Sequence, residues 1–471
     1  MKVVIVGLAR QGSALARYFS ARGDQVIVTD LRPATALHSE IAALEGLPIE
    51  YVLGEHPFSL LDGCDLLCLS GGVPPETPLP QEARRRGIPL SNDSRLTLQL
   101  APVPMIGITG SSGKTTTTTL VGEMLKASGL TTWVGGNIGV PLIDRLAQIG
   151  ADDRMVLELS SFQLQLFAEP PPASPHLSAV LNITPNHLDR HPSMAHYTAA
   201  KANIVRFQSA DDLAVLGVDD AITGRWWREG WVHIAADVGQ AALDFPIQAR
   251  RVGFSLVEAV PEGAFLQGEQ LVWRWAGHTW PICTLGELKL RGMHNVANVL
   301  AACAIAGAGG ATAEAMRQVA IGFAGVPHRL ELVAEINGVR WYNDSIATAP
   351  ERMAAALRAF DEPLVLLAGG RDKHLPWAEA AELIRHKVRH LVLFGEAAGL
   401  IADAVGPTDH PQVHRCGPLE EAVAVAAQVA RPGDVVLLSP GGTSFDAYKD
   451  FEARGEHFRS LVHAFKKETS T

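Results

Sequence analysis

The residues best suited to chemistry form one string, Gly107-Ile-Thr-Gly110-Ser111-Ser112-Gly113-Lys114-Thr115-Thr116. An apolar run enters a glycine-rich loop, and a helix then begins in a run of threonines. Backbone N–H groups of such a loop, with the helix N-terminus behind them, cradle phosphates. The lysine reaches the terminal phosphates and the following hydroxyl ligates Mg2+. A strict P-loop would carry glycine at position 108, which is Ile108, so the string is a TGxxGKT variant. Two more groups stand just past later apolar runs, Glu158 in LELSSFQL and His187 in NITPNHLDRH. A carboxylate at the end of an apolar run has no solvated face to serve. Both side chains are ligand types suited to Mg2+ or its waters where ATP brings phosphate charge. His187 and His191 are four apart but lack the HExxH context, so they make no zinc motif. Lys201, in YTAAKANI, lies on a helix with apolar neighbours on both sides, where a snorkelling surface lysine is expected.

Parallel sheets are predicted to hold these groups at strand ends. KVVIVG, closed by Gly7, runs through Gly12 into a helical stretch that ends near Ala21, and QVIVTD follows, ending at Asp30. That is a βαβ unit with its phosphate-facing turn at the end of the first strand. Its Gly7-x4-Gly12 spacing departs from G-x-G-x-x-G, because position 9 is Ala9. DLLCLSGG, ending in Gly71 and Gly72, and IPLSND supply further strands. A proline-bearing connector, TLQLAPVP, leads to the phosphate-loop domain, whose strands include MVLELSS and AVLNITP. From about Phe207 to Cys283 a β-rich insertion or edge sheet is expected, packed by tryptophan, since six of the nine tryptophans fall between Trp226 and Trp280. RGMHNVANVLAACAIAGAGG reads as a buried helix, and GFAGVPHRLE, with Gly325 and Pro327, as a hinge. PLVLLAGG, HLVLFG and DVVLLSPGG beyond it are short apolar strands separated by helical stretches. The expected architecture is α/β in three domains. Residues 1–98 are Rossmann-like, 99–324 form a central P-loop-type ATPase domain with the β-rich insertion, and 325–471 are Rossmann-like again.

At ~150 residues per domain, 471 residues also suggest three domains. Forty basic against fifty acidic side chains give −10, which argues against a nucleic-acid partner. An anionic ligand must therefore be held by local devices. The five cysteines (Cys64, Cys68, Cys283, Cys303, Cys416) are expected to be reduced thiols, not a disulfide framework. No apolar stretch reaches the ~18–20 residues of a membrane span, and MKVVIVGLARQG does not read as a secretion signal. The chain is expected to be soluble and cytoplasmic, with no membrane partner.

The ordered set of motifs resembles the Mur ligases, and the matches run through all three domains. They are GITGSSGKTT, GGNIG at 135–139, ELSSFQL, NITPNHLDRH with YTAAK, HNVAN at 294–298, PHR at 327–329, WYNDS at 341–345, GGRDK at 369–373 and SPGGTSFDAYKDFEARG at 439–455. ELSSFQL, YNDS and the last string point to the glutamate-adding branch. The resemblance implies ligation of D-glutamate to UDP-N-acetylmuramoyl-L-alanine through an acyl phosphate, in cytoplasmic peptidoglycan precursor synthesis, by a monomer using ATP and two Mg2+ ions. It implies that Gly110, Ser111, Ser112, Gly113, Lys114, Thr115 and Thr116, with Asn298, Arg329 and Asp344, bind ATP. Thr115, Glu158, His187 and Lys201, the last as a carbamate, would serve the metal. Lys114, Lys201, His187 and Asp344 would carry catalysis. Gly7, Gly12, Asp30, Gly72 and Asn137 would seat the UDP substrate, and Thr348, Lys373, Ser444 and Phe451 the glutamate.

Two positions depart from the family pattern. Ile346 stands where NDSKAT has lysine, and SPGGTS replaces SPACAS. The first leaves open a ligase that adds L-glutamate to the same nucleotide. A nicotinamide-dependent oxidoreductase is disfavoured by the glycine spacing and the separate phosphate loop. A nucleotide-binding regulatory module is disfavoured by the intact Lys114, Glu158, His187 and Asp344 set.

Overall fold

A computed structural model of the chain describes residues 1–469 except 189, 291, 374, 408 and 409. The chain divides into two compact units, Met1–Phe323 and Ala324–Thr471. The first unit begins with β1 (Lys2–Val6), β2 (Gln25–Asp30), β3 (Ile49–Leu53), β4 (Leu66–Leu69) and β5 (Leu90–Ser91). They form an all-parallel sheet in the order β3-β2-β1-β4-β5, with Val4 registered against Ile27 and Leu67. β1 and β4 are covered on both faces, which is why they read as continuous apolar runs. The strand order reverses at β1, so a crevice opens at its carboxyl end, at Gly7. A Cβ on Gly12 would lie 2.0 Å from the Gly7 carbonyl oxygen, so glycine is what allows the helix Arg10–Ala21 to start so close to the turn. The segment TLQL, read as connector, is instead the second half of a helix, Asp93–Leu100, started by Asn92, whose side chain accepts the Arg95 N–H at 2.8 Å.

The second sheet of this unit contains β6 (Met105–Thr109), β7 (Thr132–Gly136), β8 (Arg154–Glu158), β9 (Leu177–Val180) and β10 (Leu213–Gly217). After a separate antiparallel pair, β11 (Trp231–Ile234) and β12 (Leu243–Pro246), it continues with β13 (Arg250–Ser255), β14 (Gly263–Gln267), β15 (Gln270–Trp275) and β16 (His278–Thr284). Nine strands run in the order β16-β15-β14-β13-β10-β9-β6-β8-β7, parallel except for the β14-β15-β16 meander. The β-rich segment is therefore mostly the outer half of the central sheet, and only β11 and β12 stand apart. Alternation along the strands sorts the two faces. Ile106, Ile108 and Val156 pack towards the helices Lys114–Ala127 and Met293–Ala308, while Met155, Leu157 and Val180 pack towards Met194–Arg206. The tryptophans do pack the core: Trp226 is fully buried, and Trp273 stacks on Trp280 with 4.7 Å between ring centres.

The second unit holds β17 (Glu331–Ile336), β18 (Val339–Asn343), β19 (Leu364–Gly369), β20 (Val388–Phe394), β21 (Gln412–Arg415) and β22 (Val435–Gly441) in the order β17-β18-β22-β19-β20-β21. β17 and β18 form an antiparallel hairpin, and every other pair is parallel. The carboxyl ends of β18, β22 and β19 thus lie side by side. All five cysteines are free thiols, four of them buried. Among the described residues, no helix is long and apolar enough to cross a membrane.

Candidate active site

β6 ends in the loop Gly110–Gly113, and Gly113, at φ +80°, turns it into the helix Lys114–Ala127. A Cβ there would lie 2.2 Å from Asn298 Oδ1, so glycine is required both by the backbone and by the close approach of Asn298. The loop is pinned from the strand next to it. The Ser111 N–H donates to the Asn182 carbonyl and the Ser112 N–H to Asn182 Oδ1, at 3.0 and 2.9 Å. Ser111 Oγ donates to the Thr184 carbonyl and also lies 2.9 Å from the Tyr197 hydroxyl.

Two lysine side chains meet on this loop. Lys114 Nζ and Lys201 Nζ each donate to the Gly110 carbonyl oxygen, both at 2.9 Å, and Lys201 also reaches Thr109 Oγ1 at 3.2 Å. Lys201 is only 1% exposed, so the expectation of a snorkelling surface lysine is wrong. Its helix presses it between the phosphate loop and the Tyr197 ring, whose centre is 4.8 Å from Nζ. Burial pushes its amine well below the usual lysine range, the charge of Lys114 adds to that, and Glu158 opposes it. Glu158, at the end of β8, is 2% exposed. Its Oε1 accepts the Asn137 side-chain N–H at 2.9 Å, while Oε2 is buried with no hydrogen-bond partner. Asn137 is thereby part of this group of residues. His187 lies on an exposed loop at φ +54° and meets the others through rings, edge-on to Phe162 at 5.5 Å and tilted to Tyr197 at 6.4 Å. Thr115 is half-buried in the first helical turn, and Thr116 is buried behind it. Asn298 also donates to Asn295 Oδ1 at 3.1 Å.

Gly7, Asp30 and Gly72 follow or end β1, β2 and β4 at the rim of the first sheet. Both Asp30 oxygens are in use: Oδ2 accepts the Leu8 N–H, and the Arg32 guanidinium spans Oδ1 and Oδ2. Burial works against ionisation here, but these donors outweigh it and hold the carboxyl at about 2. Asp30 therefore braces the glycine turn. Two bonds tie this rim to the central one, Arg10 Nη1 to the Gly139 carbonyl at 3.0 Å and Arg190 Nη2 to the Gly72 carbonyl at 3.2 Å.

The second unit gathers its own set at the ends of β18, β22 and β19. Asp344 is buried, with Oδ2 accepting the Ser439 hydroxyl at 2.8 Å and Oδ1 the Leu330 N–H at 3.2 Å. Burial raises its carboxyl to about 7, against the pull of these donors and of the Arg329 and Arg352 charges. Lys373 Nζ donates to Thr348 Oγ1 at 3.3 Å. Ser444 is buried one residue past Thr443, which pairs with Arg371 through backbone bonds of 2.9 and 2.8 Å. Ser345 Oγ donates to the Phe451 carbonyl at 2.8 Å. Arg454, fully buried, fastens these loops by donating to Ser345 Oγ and to the Gly442 and Thr443 carbonyls. Sequence reasoning passed over Asn182, Tyr197 and Arg454 as builders of these rims. Tyr197 was within reach, since it stands one helical turn before Lys201 on the same face.

The Mur ligase middle domain model matches residues 108–306, the Mur ligase, glutamate ligase domain model 328–442, and the Mur ligase MurD-like, N-terminal domain model 1–92. The UDP-N-acetylmuramoylalanine–D-glutamate ligase of Symbiobacterium thermophilum is 43% identical over 464 residues, 98% of each chain. The enzyme of that name from a Roseiflexus species is 40% identical over 468 residues, again 98% of each. Among solved structures, UDP-N-acetylmuramate-alanine ligase MurC from Thermotoga maritima has the same fold, with a TM-score of 0.55 and 20% identity over 99% of this chain and all of that one. MurF from Acinetobacter baumannii gives 0.55 at 17% identity, over 98% of this chain and 93% of that one. The chain belongs to the Mur ligase family.

Proposed function

We propose that the chain ligates D-glutamate to UDP-N-acetylmuramoyl-L-alanine at the expense of ATP, in the cytoplasm, as a step of peptidoglycan precursor synthesis. The observation that carries this reading is the pair of lysine side chains on the Gly110 carbonyl, set beside a buried carboxylate with one oxygen unpartnered. Such a site is built for anions that must be brought together. The D-glutamate ligases named above, aligned along nearly the whole chain, support this substrate over L-glutamate.

The donor set suits Mg2+. Among the described residues there is no cluster of three or more His, Cys, Asp or Glu side chains. Mg2+ needs none, because it takes one or two carboxylates and completes its shell with phosphate oxygens and water. The unpartnered Glu158 Oε2, the Thr115 hydroxyl, His187 and a Lys201 carbamate would hold up to two ions. Bound there, Mg2+ would offset phosphate charge and polarise the γ-phosphoryl group. Burial lowers the Lys201 pKa and so favours the neutral amine, the form that would add to CO2 and give up a proton to become the carbamate.

In this reading the loop N–H groups of Gly110–Gly113 and the Lys114 ammonium bind the ATP phosphates, with Asn298 beside the loop and Arg329 and Asp344 as further ATP contacts. The substrate carboxylate attacks the γ-phosphorus, and ADP leaves. The glutamate amine then attacks the acyl carbon, phosphate departs with the electron pair, and the amine loses its proton. Thr348, Lys373, Ser444 and Phe451 would orient the glutamate. Gly7, Gly12, Asp30, Gly72 and Asn137 would line the seat of the UDP-muramoyl group, with Asp30 acting through the turn it braces. The reading takes 1–98, 99–324 and 325–471 as domains for nucleotide substrate, ATP and glutamate, in a monomer. ADP release measured with and without each substrate tests it. Release that needs both UDP-N-acetylmuramoyl-L-alanine and glutamate is expected, and release indifferent to either would refute it.

A further inference from the structure

We infer that His191 is a positioning residue, a buried node that holds in register the three elements carrying Glu158, His187 and Lys201 and so sets their joint hold on Mg2+. Each of these side chains comes from a different element: Glu158 from the end of β8, His187 from the loop after β9, and Lys201 from the helix Met194–Arg206. A site built this way works only if its donors are fixed to within ~0.5 Å. His191 is bonded to all three elements. Its N–H donates to the His187 carbonyl at 2.9 Å, beside that of Arg190 at 3.0 Å, which closes the loop into a turn. Its Nε2 lies 2.9 Å from the Ser161 hydroxyl, in the helix Ser161–Gln165 that starts just past Glu158. Its Nδ1 lies 2.8 Å from His196 Nδ1, in the first turn of the Lys201 helix.

The ring is 1% exposed and both of its nitrogens are engaged, so it braces the site and does not ligate. A neutral imidazole has one donor and one acceptor. The Ser161 hydroxyl can take either part and so can His196 Nδ1, so complementary tautomers on the two rings satisfy the whole chain. Aromatic contacts complete the junction. Phe162 stacks on His191 with 5.2 Å between ring centres and meets His187 edge-on at 5.5 Å. Tyr197 meets His191 edge-on at 5.1 Å, and its ring centre is 4.8 Å from Lys201 Nζ. Packing alone would be served by a phenylalanine. The two side-chain hydrogen bonds are what histidine adds, and buried polar networks of this kind fix one arrangement of the elements they join.

This assignment rests on the reading of Glu158, His187 and Lys201 as the residues that serve Mg2+, and two measurements separate the two. One is calorimetric binding of a non-hydrolysable ATP analogue with and without Mg2+; the other is the Mg2+ concentration at half the maximal rate. Partners that orient metal ligands contribute ~10–100-fold in metal affinity or activity. His191→Phe keeps the ring stack and removes both side-chain bonds. It should raise the half-saturating Mg2+ about tenfold and weaken analogue binding in Mg2+ about fivefold or more, while Mg2+-free binding and the KM for glutamate stay within about twofold. His191→Gln, whose amide can still bond Ser161, should recover most of the loss. Ser161→Ala breaks the same bond without disturbing a buried ring. It should raise the half-saturating Mg2+ about threefold or more and add little on top of His191→Phe. Should circular dichroism show that His191→Phe does not fold, Ser161→Ala decides by the same criteria. An unchanged Mg2+ dependence in Ser161→Ala or in folded His191→Phe, or an equal loss of analogue binding with and without Mg2+, would overturn the inference while leaving the metal reading in place. A wild-type chain whose analogue binding and turnover both ignore Mg2+ would overturn the two together.

Discussion

The Gly110 carbonyl accepts from two lysine side chains at once, Lys114 and Lys201. Burial lowers the Lys201 pKa, the charge of Lys114 adds to that, and Glu158 opposes it. Removing Lys114 should leave the fold intact and remove turnover. Circular dichroism of Lys114→Ala should match wild type, with activity down by far more than tenfold, a loss well above ~1.4 kcal/mol of transition-state stabilisation. Activity within tenfold would sink the phosphate-loop assignment. Lys201 acts differently in this account, as an anion carrier. Lys201→Ala should be nearly inactive and partly rescued by short carboxylic acids. Full activity of that variant in bicarbonate-free buffer would exclude the carbamate.

At the scale of elements, the helix Asp93–Leu100 carries a buried acid that is a clean probe of local stability. Asp93 is 2% exposed and its Oδ1 has no partner. Burial raises the carboxyl to about 7, although hydrogen bonds involving Ser94 and Gln163 pull the other way. A carboxyl whose folded value lies above its unfolded value near 4 favours folding when protonated. Its contribution is complete below about pH 4 and is lost as the pH rises through 7. Asp93→Asn, which is neutral at every pH, should stabilise the protein by about 2–4 kcal/mol at pH 8 and by almost nothing at pH 4. Denaturant titrations at the two pH values would check this, and an equal effect at both would contradict it. The elements that carry chemistry were largely legible because continuous apolar runs ending in glycine mark buried parallel strands, as in MIGITG and PLVLLAGG. The β17–β18 hairpin was not read, although Asn337-Gly338 between two apolar runs is a hairpin signal; both residues have positive φ. Lys201 could not be placed from its own helix, because its burial comes from the phosphate loop almost a hundred residues earlier in the chain.

Across the whole molecule, three sheets with parallel central strands present polar groups at strand carboxyl ends, and in a chain of net charge −10 a few cations, Lys114, Lys201 and Lys373 among them, stand at those rims. Phosphate, carboxylate and amine chemistry can share such a scaffold because each rim supplies few charges at fixed positions. The candidate residues were legible as far as short local strings reach. The bracing of Asp30 by Arg32 and the stapling of the second unit's loops by Arg454 were not, since both depend on side-chain geometry that spacing does not encode. The central claim is the identity of the amino acid, and the uncharged Ile346 makes its handedness the sharpest point of test. Supplying UDP-N-acetylmuramoyl-L-alanine, ATP and Mg2+ with D- or L-glutamate separately, and following the ligated product with ADP, decides it. The account predicts product with D-glutamate and little or none with L-glutamate; product with L-glutamate alone would contradict it.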